Sequence, residues 1–241
     1  MIRKAEHYCV GAIGALLVLT GCAPKQLTLE DIGRPMSIAV SPALNHSGSQ
    51  DFDPLRLADL MASELAHVPG VRVIPLNRVL AQLASEGEER IESPAHALQV
   101  MERVGADGII VFAITEYDAY YPPVVGLSAQ LYSTGLGNRG GFDPVAASRL
   151  ASSSEAGVYS LLPRAQYQRV FNGSDDAIKR EIERFARHRN AEGSPYGWRK
   201  FLASQENFWR FCCATTTREL ISQEVTHVVA LRERKDEVES R

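Results

Sequence analysis

The spacing of apolar residues changes period several times along the chain, and each change predicts an element. In "RPMSIAVSPALNHSG", Ile38 and Val40 alternate with small residues, predicting a short strand followed by a Pro/Asn/Gly loop. From Asp53 the period becomes helical. Leu57, Leu60, Met61, Leu65 and Val68 make one stripe, Asp53 can cap the open N–H groups, Pro54 suits the first helical position, and Pro69-Gly70 stops the run. Val71 to Ile74 predicts a second strand, with a short helix starting near Asn77. Another helix is expected from about Pro94 to Val104, capped by Ser93 and closed by Gly105. "DGIIVFAITEYDAYY" is nearly continuous in apolar residues, the pattern of a central strand covered on both faces. After Pro122-Pro123, Val124 to Ser133 alternates as an antiparallel partner of that strand would.

The order β-α-β-α(α)-β predicts an α/β fold, with α+β as the alternative: a mixed, partly parallel sheet flanked by helices. Residues 134–157, rich in glycine and serine, predict an exposed flexible loop. "VYSLLPRAQYQRVFNG" then resumes strand character, with Pro163 at an edge or bend. From Ser174 the pattern turns helical. Ile178, Ile182, Phe185 and Ala186 line one side of the first such helix, while lysine, arginine and glutamate fill the other. A Gly/Pro turn at residues 193–197 leads to a wide aromatic arc of Trp198, Phe201, Leu202, Phe208, Trp209, Phe211 and Cys212. These are helices packed back on the sheet in the simpler reading; in the sharper one, part of the arc docks another protein, because aromatics dominate interface hot spots. "LRERKDEVESR" is a polar helical tail.

The start of the chain follows a different rule. Arg3 and Lys4 precede an apolar stretch from Val10 to Leu19, the charged and apolar regions of an export signal. That stretch is too short to span a bilayer, which takes roughly 20 residues. Leu19-Thr20-Gly21-Cys22 resembles the lipobox of bacterial lipoproteins, in which the signal is cut before the cysteine and that cysteine carries the lipid. The resemblance implies a signal peptide over residues 1–21, lipidation at Cys22, and attachment to the bilayer by acyl chains that contribute about 0.8 kcal/mol per buried methylene. Ala23, standing where an aspartate would imply inner-membrane retention, implies the periplasmic face of the outer membrane. The expected organisation is then a lipidated connector over 22–34, an α/β domain over 35–173 and a helical carboxy-terminal extension over 174–241 packed on that domain.

Composition narrows the chemistry. With 241 residues, 45% of them hydrophobic, the chain can bury a core without disulfides, and a net charge of −3 gives no general field for nucleic acid. Gly135, Gly137 and Gly140 spell the G-x-G-x-x-G pattern of a dinucleotide site, but no apolar-periodic helix opens after Gly141-Phe142-Asp143-Pro144, so a loop is expected and no cofactor. His46, His67, His96, His188 and His227 are far apart, and no metal-ligand spacing emerges. Cys212 and Cys213 are adjacent amid aromatics and point about 100° apart on a helix, which favours small core residues over a redox pair. No G-x-S-x-G elbow is present, and Glu116 and Asp118 at a strand end are a weak pointer to paired carboxylates. No catalytic residue is assigned.

Several stretches together carry a family resemblance. The short strand around "IAV-P", the capped helix, the strand running into "PLNRVLAQL", and "VGADGIIVFAI" are similar to the periplasmic α/β domain of certain envelope proteins. These are the curli-secretion-pore family, the lipoprotein activators of penicillin-binding proteins, and the amino-terminal domain of the Tol translocation protein. In them, the segment matching Val73 to Leu83 is a strand leading into a helix around an arginine like Arg78, and Gly105-Ala106-Asp107 matches the turn before a central strand. The resemblance spans about Met36 to Gln130. It implies a non-enzymatic module that assembles with other envelope components; long alternating hairpins of a pore are not evident, so no channel is implied.

The expected function is a lipid-anchored periplasmic scaffold or assembly factor, partnered by envelope proteins, by further copies of itself and, through acylated Cys22, by the bilayer. Tyr117, Tyr120, Tyr121, Trp198, Phe208 and Trp209 are the candidate interaction residues, with an exposed edge strand as a further surface. The alternative is a small-ligand- or glycan-binding, or hydrolytic, lipoprotein using a polar pocket near Ser41 to His46 and Glu116 at the carboxyl ends of the parallel strands.

Overall fold

The computed structural model describes residues 35–133, 162–189 and 193–239. The expected signal peptide, Cys22 with its connector, and the loop of residues 134–157 with Gly135, Gly137 and Gly140 lie outside the described residues.

Six strands form one mixed sheet. β1 (Met36–Val40), β2 (Leu44–Asn45), β3 (Val71–Val73), β4 (Gly108–Asp118), β5 (Val124–Ser133) and β6 (Ala165–Asn172) stand in the order β3-β1-β4-β5-β6, with β2 also on β4. β1 pairs parallel with β3 and β4, whereas β4, β5 and β6 are successively antiparallel. The sheet is therefore partly parallel, as the alternation of strand and helix in the first half requires. β2 falls within the stretch expected to be a loop. Pro42 interrupts the strand, and the chain then rejoins the same edge of β4, Leu44 opposite Ala113, so β1 and β2 act as one broken strand.

Helices cover both faces. α1 (Pro54–Leu65) is capped by Asp53, whose Oδ1 accepts the Leu55 and Arg56 N–H groups at 2.8 and 3.3 Å. α2 (Leu76–Glu86) ends at Gly87 in the left-handed region, φ 78°, and α3 (Pro94–Arg103) is capped by Ser93 on the His96 N–H at 3.1 Å. α4 (Asp176–His188) follows β6, and a 3-10 turn (Gly197–Arg199) and α5 (Lys200–Ala203) lead into α6, one helix of 35 residues from Gln205 to Glu239. One core joins α1, α4, α5 and α6 to the sheet residues Ile38, Val40, Ile110, Phe112, Leu127 and Phe171. A smaller core joins α2 and α3 to Ala39, Ile109 and Tyr132 on the other face. Among the described residues the second face is left open toward β6, where Gln166, Gln168 and Val170 are exposed.

The strands are pinned where backbones come close. β4 carries a bulge between Ile114 and Glu116, and Gly126 of β5 lies against it. A Cβ at Gly126 would sit 2.6 Å from Thr115 Oγ1 and 2.9 Å from the Glu116 nitrogen, so only glycine lets the two strands meet there.

Two carboxylates of the helical layer are buried. Glu64 of α1, its side chain 1% exposed, bonds Arg189 just past α4 and lies 3.5 Å from Arg210 of α6. Arg210 in turn binds Glu206 at 3.1 Å, and Glu206 pairs with Arg56 near the start of α1. Alternating charges thus run the length of the α1–α6 seam. Glu224 of α6 accepts the Ser133 hydroxyl at 2.9 Å and lies 3.5 Å from Arg164 Nε, tying the end of β5 and the approach to β6 to one helix. A buried carboxylate stripped of its cations costs about 3–5 kcal/mol, whereas an exposed pair contributes under about 1 kcal/mol. The double variant R189A/R210A is therefore expected to lose about 3–5 kcal/mol of unfolding free energy in urea denaturation, and R56A less than about 1 kcal/mol.

Candidate interaction surface

The β4–β5 hairpin carries the most exposed aromatics in the described structure. Tyr120 and Tyr121 are 84% and 71% exposed at its tip, and Asp118 Oδ1 accepts the Tyr120 N–H at 2.9 Å, holding the turn. Beneath them, Tyr117 is half-buried and stacks on Trp209 of α6 with ring centroids 5.3 Å apart, and it meets Phe52 edge to face at 5.3 Å. Phe52 precedes the cap of α1, so three elements converge on one aromatic platform. Burial pushes the Tyr117 hydroxyl up from its ordinary value, opposed by the Trp209 side chain beside it. That group therefore stays protonated at neutral pH. A cleft of about 240 Å³ opens next to the platform, lined by Asp51, Phe52, Arg56, Leu60, Glu206 and Trp209 among others. The arginine hydrogen bonds from Arg56 and Arg210 hold the Glu206 carboxyl below its usual range.

The six candidate aromatics do not share one surface. Tyr120 and Tyr121 are exposed, and Tyr117 packs on Trp209 and Phe52 in the strand just before the turn. Phe208 and Trp209 are buried in the main core, and only an edge of Trp209 reaches the wall of that cleft. Trp198 packs partly against that core and lies under the Arg199 guanidinium, 4.9 Å from the ring centroid. Glu116 is exposed on the strand end and Asp118 serves the turn, so they do not form a carboxylate pair by hydrogen bonding. The missed contributor is Phe52; an aromatic just before a helix cap is a signal for such packing. Glu64 and Glu224 were also legible as carboxylates inside apolar stripes, between Met61 and Leu65 and between Ile221 and Val225.

At the carboxyl ends of β1 and β2 there is a broader cleft of about 620 Å³, lined by Ala43, Leu44, Asn45, His46, Arg90 and Glu92 among others. Ser41 is buried and its hydroxyl donates to the Pro42 carbonyl, and Glu116 is not part of the lining. No group of three or more metal-ligating side chains occurs among the described residues, and no described helix is long and apolar enough to cross a membrane.

The fold and this surface define a three-layer mixed α/β domain that presents an aromatic hairpin tip. No protein-family model matches the chain, and no curated protein matches it. Among solved structures it is similar to the lipoprotein GNA1162 from Neisseria meningitidis, at 16% identity and a TM-score of 0.41 over 67% of this chain and 99% of that one. It is also similar to the LpoB carboxy-terminal domain from Salmonella enterica, at 12% identity and a TM-score of 0.35 over 45% and 76% of the two chains. A PelC dodecamer from Paraburkholderia phytofirmans aligns at 20% identity and a TM-score of 0.28 over 45% and 64%. At such scores the overlap carries no functional argument.

Cys212 and Cys213 are both free and fully buried. Burial pushes both thiols up, Cys212 further through its neighbour Cys213 and Cys213 through the nearby Glu64 carboxylate. In the folded chain both side chains are closed off from solvent. Peptide mapping after maleimide treatment near neutral pH should find both unlabelled in the native protein and both labelled in urea.

Proposed function

We propose that this protein is a lipid-anchored periplasmic scaffold or assembly factor, held at the outer membrane through Cys22 and binding another envelope protein through the Tyr120–Tyr121 tip. The observation that carries the reading is the pair of exposed tyrosines next to an aromatic cluster at the far end of the sheet from where the described chain begins. β1 and β4 are parallel, with Ile38 opposite Gly108, so the start of β1 and the end of β4 lie at opposite ends. β4 has 11 residues and spans about 36 Å at roughly 3.3 Å per residue. The lipobox-like Leu19-Thr20-Gly21-Cys22 supports attachment on the Met36 side. Tyrosine buries a large area at low entropic cost, having few rotatable bonds, which suits it as an anchor in a partner's pocket.

A second reading has its own observation, the cleft of about 620 Å³ with His46, Arg90 and Glu92 in its wall. Its size falls in the range of small-ligand sites, about 300–1,000 Å³, and it lies where parallel strands place ligands. It would take a polar ligand or a glycan.

A photo-crosslinking amino acid at position 120 or 121 in intact cells should trap a discrete envelope protein, and the same residue at Arg72 on the β3 edge should not. Each of Y120A and Y121A should weaken binding of the trapped partner by about 2 kcal/mol, roughly thirtyfold, while the unfolding free energy changes by less than about 0.5 kcal/mol. Equal capture from position 72, or none from the tip, would remove the tip from the account.

A further inference from the structure

α4 has one buried side and one cationic side. Ile178, Ile182, Phe185 and Ala186 face the core. Arg180, Arg184 and Arg187 lie on the opposite side within an arc of about 60°, at about 100° per residue, and all three are exposed. The other charges of the helix are largely taken: Lys179 by Asp176 at 3.1 Å, Glu181 by Arg169 at 2.8 Å, and Arg189 by Glu64. Glu183 flanks the stripe. None of the three arginines has an ion pair or hydrogen bond with a described residue, in a protein whose net charge is −3. The stripe widens toward α6: Arg184, His188 and Arg218 line one cleft of about 270 Å³. Its only carboxylate, Glu181, is the one Arg169 holds.

The place of this face in the fold says what it meets. Arg189, at the end of α4, reaches Glu64 and lies 3.1 Å from His67 Nε2. Three residues beyond His67, the Gly70 carbonyl accepts the Met36 N–H at 2.8 Å. The basic helix therefore runs along the sheet, from beside the hairpin, where the Gly173 N–H donates to the Pro123 carbonyl at 2.9 Å, to the point where the described chain begins. Cys22 precedes Pro35 by 13 residues, a reach of at most about 45 Å. α4 is about 20 Å long at 1.5 Å per residue, so that reach is enough for a bilayer holding Cys22 to lie along it.

We infer that the Arg180–Arg184–Arg187 face of α4 docks on anionic phospholipid headgroups of the membrane to which Cys22 attaches the chain. The inference takes from the proposed function only the presence of that membrane. The guanidinium groups bind phosphate oxygens by charge-assisted hydrogen bonds, and no buried carboxylate has to give them up. Each arginine near an anionic surface contributes about fivefold, so three amount to on the order of a hundredfold in the contact equilibrium.

The full chain, extracted from membranes, is reconstituted in nanodiscs of phosphatidylcholine alone or with about a third phosphatidylglycerol, and its arginines are footprinted with phenylglyoxal and read by peptide mass mapping. Arg180, Arg184 and Arg187 should be modified at least about tenfold more slowly on the anionic bilayer, with Arg78 and Arg90 modified equally on both. Raising salt to about 1 M, where the screening length is about 3 Å, should restore their reactivity. R184E, an exposed substitution that should leave the thermal unfolding midpoint in place, should deprotect Arg180 and Arg187. Equal modification of α4 on the two bilayers overturns the inference, as does protection that appears in intact cells but not on anionic nanodiscs, which assigns the face to a protein. The intact mass of the same sample reports acylation separately, so loss of the Cys22 reading and loss of this one are distinguishable.

Discussion

The seam between α1 and α6 is the constraint on which the rest of the molecule depends. It buries the Glu64 carboxylate, and a buried carboxylate persists only where cations reach it. Arg210 comes from α6 itself and Arg189 from the chain just past α4, so one side chain fixes three helices relative to one another. Around it, Phe208, Phe211, Phe185 and Phe171 pack edge to face or tilted with centroids about 5–6 Å apart. Burying such a ring contributes about 1.5–3 kcal/mol, so the apolar contacts supply most of the stability and the ion pairs set the alignment. Glu224 repeats the device further along α6, where Ser133 and Arg164 flank the long β5–β6 connection.

With the helices aligned, the sheet has two distinct ends. At one, β1 begins, α1 ends and α4 ends. At the other, the β4–β5 hairpin turns on its aromatic platform. The start of α6 locks that platform through Trp209, so the tip is positioned by the same helix that carries Arg210. The proposed tether would join the first of these ends, and the proposed binding tip is the second.

Much of the fold was legible in the sequence because its signals are local. Asp53-Pro54 and Ser93-Pro94 mark helix starts by capping chemistry, and the continuous apolar run from Gly108 marks a strand covered on both faces. What escaped depends on tertiary register. Leu44–Asn45 is too short to show a period, and becomes a strand only because β4 extends past the Pro42 break to receive it. The aromatic arc after Trp198 reads the same whether it faces a core or a partner. The structure divides it, burying Phe208 and Trp209 and leaving the exposed role to Tyr120 and Tyr121, which lie far away in sequence. Of the candidate surface, the tyrosine cluster was visible as composition, while its support by Phe52 and Trp209 requires three elements to meet and could not be.

The central claim is that this domain works as a tethered module, and the tether can be weighed directly. Intact mass spectrometry of the protein extracted from its native membranes should give a chain that begins at Cys22 and carries acyl groups on that residue. A chain that retains residues 1–21, or one that begins at Cys22 without added lipid mass, would contradict the account.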